Sequence, residues 1–317
     1  MGTLAVVRPL DAPRMRVLAI SSNKGGVGKT TVAANLAIYL RALREDLPVL
    51  VVGLDDQNTI DRMFALSPLE PGTENLKHGW ARRSLARVIQ LGQYGVHFVP
   101  SPPDTALLKG RAEDPRTLRR ILDRSEWEGV VILDTKSDLE ALTANALFAA
   151  DRVIVPVADR ASLVEAGKLF RMLERAQLDP DKARILFTLV DRRSRGTLEG
   201  SDLLHLLAGE IERRGWPRYH TFLARSPRVE SLISARGRPQ SILHHAKGTA
   251  VHRQMRGLAE EVLVDLGLGD KGAGDGARAA AAAVVPGGSR APSAVGARSD
   301  SVDWKAALLR GVWRRPD

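Results

Sequence analysis

An α/β fold, with a mostly parallel twisted sheet and helices on both faces, is predicted by three observations. Short apolar runs rich in branched residues recur along most of the chain, segments of helical apolar spacing separate them, and one glycine-rich stretch joins the first run to the first helix. Continuous apolar runs, as opposed to alternating ones, suit strands buried on both faces, and strands alternating with helices give parallel sheets.

The first run, RVLAIS at 16–21, reads as a buried strand. TTVAANLAIYLRAL then places Val32, Leu36, Ile38 and Leu40 at helical spacing. Further strands are predicted at PVLVVG (48–53), VHFVP (96–100), GVVILD (129–134), RVIVPV (152–157) and ARILFTLV (183–190). Helical patterning covers 79–90, 115–124, 139–150, 161–176 and 201–214, and a last helix at 249–267 closes the domain. The predicted organisation is an N-terminal extension at 1–15 and one domain at 16–268, followed by two smaller pieces. Residues 269–300 are nearly all Gly, Ala, Ser, Pro and Arg, with nothing large to bury, and read as a flexible linker. Residues 301–317, SVDWKAALLRGVWRRPD, regain tryptophan and leucine and suit a short amphipathic helix.

Composition excludes several classes. A chain of 317 residues with 44% hydrophobic content can bury a sizeable core. No charge-free stretch long enough to span a membrane occurs, and arginine and aspartate interrupt the N-terminal apolar runs, which makes a poor signal peptide. The absence of cysteine removes disulfides, thiolate metal sites and cysteine nucleophiles, and fits a reducing cytoplasm. The seven histidines lack metal-ligand spacing. The net charge is +10, and residues 181–260 hold 15 Lys and Arg against 8 Asp and Glu. Such an excess suits a polyanion, although an arginine-rich surface from a GC-rich genome gives the same balance.

The glycine-rich stretch is SNKGGVGKTT, residues 22–31. Between a strand and a helix it reads as a phosphate-binding loop, which makes the predicted fold P-loop NTPase-type. Gly25, Gly26 and Gly28 let successive N–H groups curl towards phosphate oxygens, with Val27 between them, and the helix start at Lys29, Thr30 and Thr31 adds its positive dipole end. Lys29 reaches the β- and γ-phosphates, and the Thr30 hydroxyl is placed for Mg²⁺. The strict pattern wants glycine at 23, where Asn23 stands, and a second lysine, Lys24, follows. Ligands of open α/β sheets bind at strand ends, so Asp134 is a candidate for Mg²⁺, and Asp55, Asp56 and Gln57 lie close to the nucleotide. Asp55 suits the orientation of an attacking water.

KGGVGKTT, with a lysine directly before the paired glycines, resembles the deviant Walker A loop of the ParA/Soj/MinD partition ATPases. LTANALFAADRVIVPV, LFTLVDRRSR, LARSPRVESLISARGRP and GLAEEVL follow in that family's order, so the similarity runs from about 16 to 267. The resemblance implies ATP and Mg²⁺ as cofactors and an ATP-dependent homodimer in which Lys24 contacts the phosphates held by the other subunit. It implies a water-positioning role for Asp55 and non-specific DNA contacts from Arg192, Arg193, Arg195, Arg225 and Arg228. It further implies a ParB-like or other ATPase-stimulating partner, a cytoplasmic, nucleoid-associated location, and a role in DNA segregation or cargo positioning. The few residues before the first strand predict no N-terminal helix-turn-helix domain.

Three departures qualify the resemblance. The family's D-x-D-P-Q reads Gly53-Leu54-Asp55-Asp56-Gln57, and D-x-P-P reads Asp134-Thr135-Lys136-Ser137, which puts the hydrolysis rate in question. The third departure is the tail, for which three readings stand open. They are a membrane-surface helix as in MinD-type proteins, a docking peptide for a partner, and an end with no special role.

Overall fold

The computed structural model describes residues 15–55, 57–105, 108, 112–191, 198–234 and 238–269, with the backbone alone at 198–203 and 234. The chain divides into two units, Met1–Leu268 and Gly269–Asp317. Beyond Gly269 the predicted linker and the amphipathic tail fall outside the described residues, as do residues 1–14, Asp56, Arg192, Arg193 and Arg195.

Seven strands form one sheet: β1 (Arg16–Ile20), β2 (Val49–Gly53), β3 (Gln90–Leu91), β4 (His97–Val99), β5 (Val130–Asp134), β6 (Arg152–Val157) and β7 (Ala183–Phe187). Their spatial order is β3-β4-β2-β5-β1-β6-β7, with every pairing parallel except β3 with β4. The side chains explain why the strands read as continuous apolar runs. Leu18, Ile20, Val130 and Ile132 face the core that holds helix α1 (Lys29–Leu43). Val17, Ala19, Val131 and Leu133 point the other way and are equally buried. The sheet is therefore covered on both faces, as predicted.

Helix α1 sits at the centre, burying Val32, Ala33, Leu36, Ala37 and Leu40. Two polar contacts tie it to the C-terminal part of the domain. The Asn35 side-chain Oδ1 accepts the Ile242 amide at 2.8 Å, and the Tyr39 hydroxyl shares a 2.7 Å hydrogen bond with His252 Nδ1 on helix Ala250–Asp265. At the opposite end of the strands, Asp265 takes Arg152 at 3.0 Å, Arg184 at 2.9 Å and the Tyr219 hydroxyl at 3.1 Å, anchoring the closing helix under β6 and β7.

Helices at Thr117–Asp123, Ala141–Ala149, Arg160–Arg175 and Leu198–Arg213 lie close to their predicted spans. The span predicted at 79–90 differs. The helix is Leu76–Arg82, and Arg83 ends it with a left-handed φ of 56°. Gln90, read as helical, starts the antiparallel β3. Strand β7 also stops short of its predicted end at 190, because Leu189 turns left-handed at φ 54°.

Gly129, just before β5, has φ 119°, and a Cβ there would lie 2.2 Å from the Pro48 carbonyl oxygen. Gly129→Ala therefore adds backbone strain to an overlap with backbone that cannot yield, and about 3 kcal/mol of stability is expected to go. Calorimetry should show a melting temperature lower by roughly 6–12 °C. Gly248→Ala, at φ 81° in open space, is the control and should cost about 1 kcal/mol.

Candidate functional site

The loop after β1 is shaped by its backbone. Gly26 and Gly28 take φ of 74° and 88°, with open space where a Cβ would stand, so conformation and not crowding requires glycine at both. Gly28 is the N-cap of α1 and makes no side-chain cap, leaving the first N–H groups of a 15-residue helix to an incoming anion. The loop is pinned at both ends. The Ser21 amide donates to the Ile154 carbonyl at 3.0 Å, and the Thr188 hydroxyl, just past β7, donates to the Val27 carbonyl at 2.9 Å.

Lys29 lies beneath this loop, only 6% exposed. Its Nζ donates to the Lys24 carbonyl at 3.1 Å and to Ser137 Oγ at 2.6 Å. Burial lowers its pKa, and the charges of Asp134, Asp55 and Asp138 work against that. Lys29 is thus a cation placed in a dry recess, where its attraction for phosphate is least screened.

Three strand ends converge on Asp134, which pairs in register with Ile20 of β1 on one side and with Gly53 of β2 on the other. Asp134 is 1% exposed. The Thr30 hydroxyl donates to its carboxylate, while Oδ1 is buried without a hydrogen-bond partner. Burial pushes its pKa up to about 7, Asp55 adds to the rise, and Thr30 and Lys29 oppose it. A buried carboxylate oxygen without a partner, beside a threonine hydroxyl, fits a hard divalent cation. Among the described residues no three His, Asp or Glu gather into a self-sufficient metal cage. One carboxylate and one hydroxyl match Mg²⁺, which is usually held by few protein ligands together with phosphates and water.

A cleft opens beside these groups, lined by Thr30, Gly53, Asp55, Gln57, Ser101 and Asp134 among others. At Gly53 the absent side chain leaves a gap bounded by Ile60 and Ser101, each 3.4 Å from where a Cβ would stand. Ser101 itself is committed to Asp61, donating from its amide at 2.9 Å and from its hydroxyl at 3.0 Å.

The half-buried Lys24 has a partner of its own, distinct from those of Lys29. Its Nζ meets Asp159 Oδ2 at 2.5 Å, with side chains 33% and 45% exposed. Asp159 caps helix Arg160–Arg175 through Ser162. Burial pushes the Asp159 carboxyl up, but hydrogen bonds from Lys24 and Ser162 outweigh it and hold the pKa below the usual value. Asn23, at the place of the missing glycine, donates to Glu165 on the same helix.

The structure thus brings together Lys24, Gly25, Gly26, Val27, Gly28, Lys29, Thr30, Thr31, Asp55 and Asp134. Arg225 and Arg228 stand elsewhere, at the start of helix Pro227–Ser234. Arg225 is exposed and pairs with Glu230 at 3.0 Å, and the Arg228 Nε donates to the His245 carbonyl. Asp159, Ser137 and Thr188 were not singled out as site residues. Of these only Ser137 carried a signal, as a hydroxyl standing where a proline is usual.

A family model described as an AAA domain matches residues 15–183, more than half of the chain. The chain is 34% identical over 257 residues to the chromosome-partitioning ATPase Soj of Thermus thermophilus, covering 79% of this chain and 96% of Soj. It is 30% identical over 199 residues to the chromosome partitioning protein ParA of Caulobacter vibrioides, covering 58% and 73%. The solved structure of the septum site-determining protein MinD from Pyrococcus horikoshii, complexed with Mg-ADP, matches with a TM-score of 0.62 at 22% identity, covering 81% of this chain and 99% of that one. At that identity the likeness is one of fold.

Proposed function

Because the chain belongs to the ParA/Soj/MinD family of partition and positioning ATPases, we propose that it is an ATP-driven dimer that grips DNA without sequence preference and lets go on hydrolysis. Its work would be DNA segregation or the positioning of a cargo, in the cytoplasm and on the nucleoid. A ParB-like or other partner would stimulate hydrolysis.

The observation that carries this reading is the division of labour between two lysines. Lys29 is buried under its own loop, whereas Lys24 is held by an exposed pair with Asp159. Exposed pairs are worth about 0–1 kcal/mol, so Lys24 can leave Asp159 for phosphates presented by a second copy. The backbone of Gly25–Gly28 and the first turn of α1 would bind the phosphates. Thr30 and Asp134 would hold Mg²⁺, whose chemistry is to neutralise charge gathering on the β/γ oxygens. Asp55, on the cleft wall, would orient the attacking water. Arg225 and Arg228, with Arg192, Arg193 and Arg195, would meet DNA phosphates, giving affinity and salt dependence without base readout.

A second reading, a nucleotide-binding scaffold with weak turnover, is favoured by Gly53. The β2 end beside Asp134 carries no carboxylate at Gly53, where the family pattern places one.

The test is DNA retention with a non-hydrolysable ATP analogue, alongside sedimentation. Wild type should dimerise and stay on DNA in a salt-sensitive manner, and Lys24→Ala should remain monomeric and wash off. Equal dimerisation and retention by Lys24→Ala would sink the reading.

A further inference from the structure

We propose that Ser137 is a phosphate-positioning residue that makes this site prefer a nucleoside triphosphate over the diphosphate. The inference rests on the reading of the loop as an ATP site and adds a residue to it.

Ser137 stands three residues past Asp134 and is exposed. Its Oγ is 2.6 Å from Lys29 Nζ and would be 3.8 Å from a Cβ on Gly25. The hydroxyl therefore stands over Gly25, at the middle of the loop, beside the ammonium. A lysine in this position reaches the β- and γ-phosphates, so a group bonded to its ammonium over Gly25 lies on the γ side.

The chemistry of the hydroxyl suits that place. As acceptor it satisfies one of the three N–H bonds of a buried ammonium, and the Lys24 carbonyl takes another, leaving the third for an incoming oxygen. Its own O–H proton stays available, so the same oxygen can accept from Lys29 and donate to a phosphate oxygen at once. A proline in this position, as in D-x-P-P, has neither capacity. Lys29 and Ser137 together form a two-donor clamp on the terminal phosphate, with the lysine held in place before the ligand arrives.

The experiment is equilibrium binding of a non-hydrolysable ATP analogue and of ADP, each with Mg²⁺, to the full chain. Wild type, Ser137→Ala, Ser137→Thr and Lys29→Ala are compared, with thermal melts as the check on folding. Ser137→Ala is expected to weaken the triphosphate by about tenfold and ADP by less than about threefold, and Ser137→Thr to restore the wild-type ratio. The ratio separates positioning from a structural role, which would move both ligands together. Unchanged or tighter triphosphate binding in Ser137→Ala would show that the hydroxyl merely occupies Lys29, and would overturn the proposal. Equal losses for the two ligands, or no restoration by threonine, would also overturn it. If Lys29→Ala abolishes binding while Ser137→Ala leaves it intact, the proposal falls and the ATP site stands. If wild type binds neither nucleotide, both fall.

Discussion

Lys29→Ala is expected to weaken nucleotide binding by at least about a hundredfold, while leaving the fold intact. Each hydrogen bond from an ammonium to a phosphate oxygen contributes about 1.5–3 kcal/mol, and in this recess water cannot replace it, since Lys29 is 6% exposed. The lysine supports little of the core. Its hydrogen bonds go to the Lys24 carbonyl and Ser137 Oγ, both at the loop, and burial disfavours its charge. The empty protein should thus melt no lower than wild type at pH 7. Calorimetric titration with ATP and Mg²⁺, paired with a melt, reads both quantities. Binding within threefold of wild type would place the phosphate site elsewhere, and lost binding with a collapsed melt would assign Lys29 to structure.

The second large effect concerns Asp134, where function and stability should part company. Asp134→Asn is expected to cut Mg²⁺-dependent turnover by a hundredfold or more, on the order seen when a group that stabilises transition-state charge is lost. The stability change should run the other way without the cation. The folded pKa is about 7 against an ordinary 3.8, so the folded chain favours the protonated carboxyl. The stability that the Asp134 carboxyl contributes is then lost as pH rises from about 4 to about 7, with an upper bound near 4 kcal/mol for this one group. The asparagine variant lacks that slope, so in chelator its advantage should grow across the same window and be greatest at pH 8. Adding Mg²⁺ and ATP should stabilise wild type and barely move the variant. Undiminished turnover, or a stability difference between the asparagine variant and wild type in chelator that stays flat between pH 4 and 7, would take Asp134 out of the site.

Much of this was legible in the sequence because each reading rested on a strong local constraint. Strands buried on both faces, such as Val130–Asp134, show as unbroken apolar runs, and a loop that needs left-handed residues shows as glycine at 26 and 28. Asp134 was legible because a carboxylate ending such a run has no place in a core unless something charged meets it. What escaped depended on distant neighbours or single torsions. Arg83 ends a helix by one left-handed φ that no propensity foretells, and the two-residue β3 exists only because β4 offers it an edge. Asp159 meets Lys24 from 135 residues away, and its own setting reads as an ordinary helix cap. Ser137 was visible as a departure, but its bond to Lys29 needed coordinates.

The Thr188 hydroxyl on the Val27 carbonyl makes the loop one end of a short mechanical linkage. Two residues beyond Thr188, Val190 exchanges backbone hydrogen bonds with the 223–225 segment, donating to the Leu223 carbonyl at 3.1 Å and accepting the Arg225 amide at 2.9 Å. A displacement of Val27 when phosphate arrives must therefore stretch a 2.9 Å bond or drag the strand end, and with it the root of Arg225. Loop and arginine are thus joined, through a single threonine and two residues of backbone, by an unbroken run of hydrogen bonds.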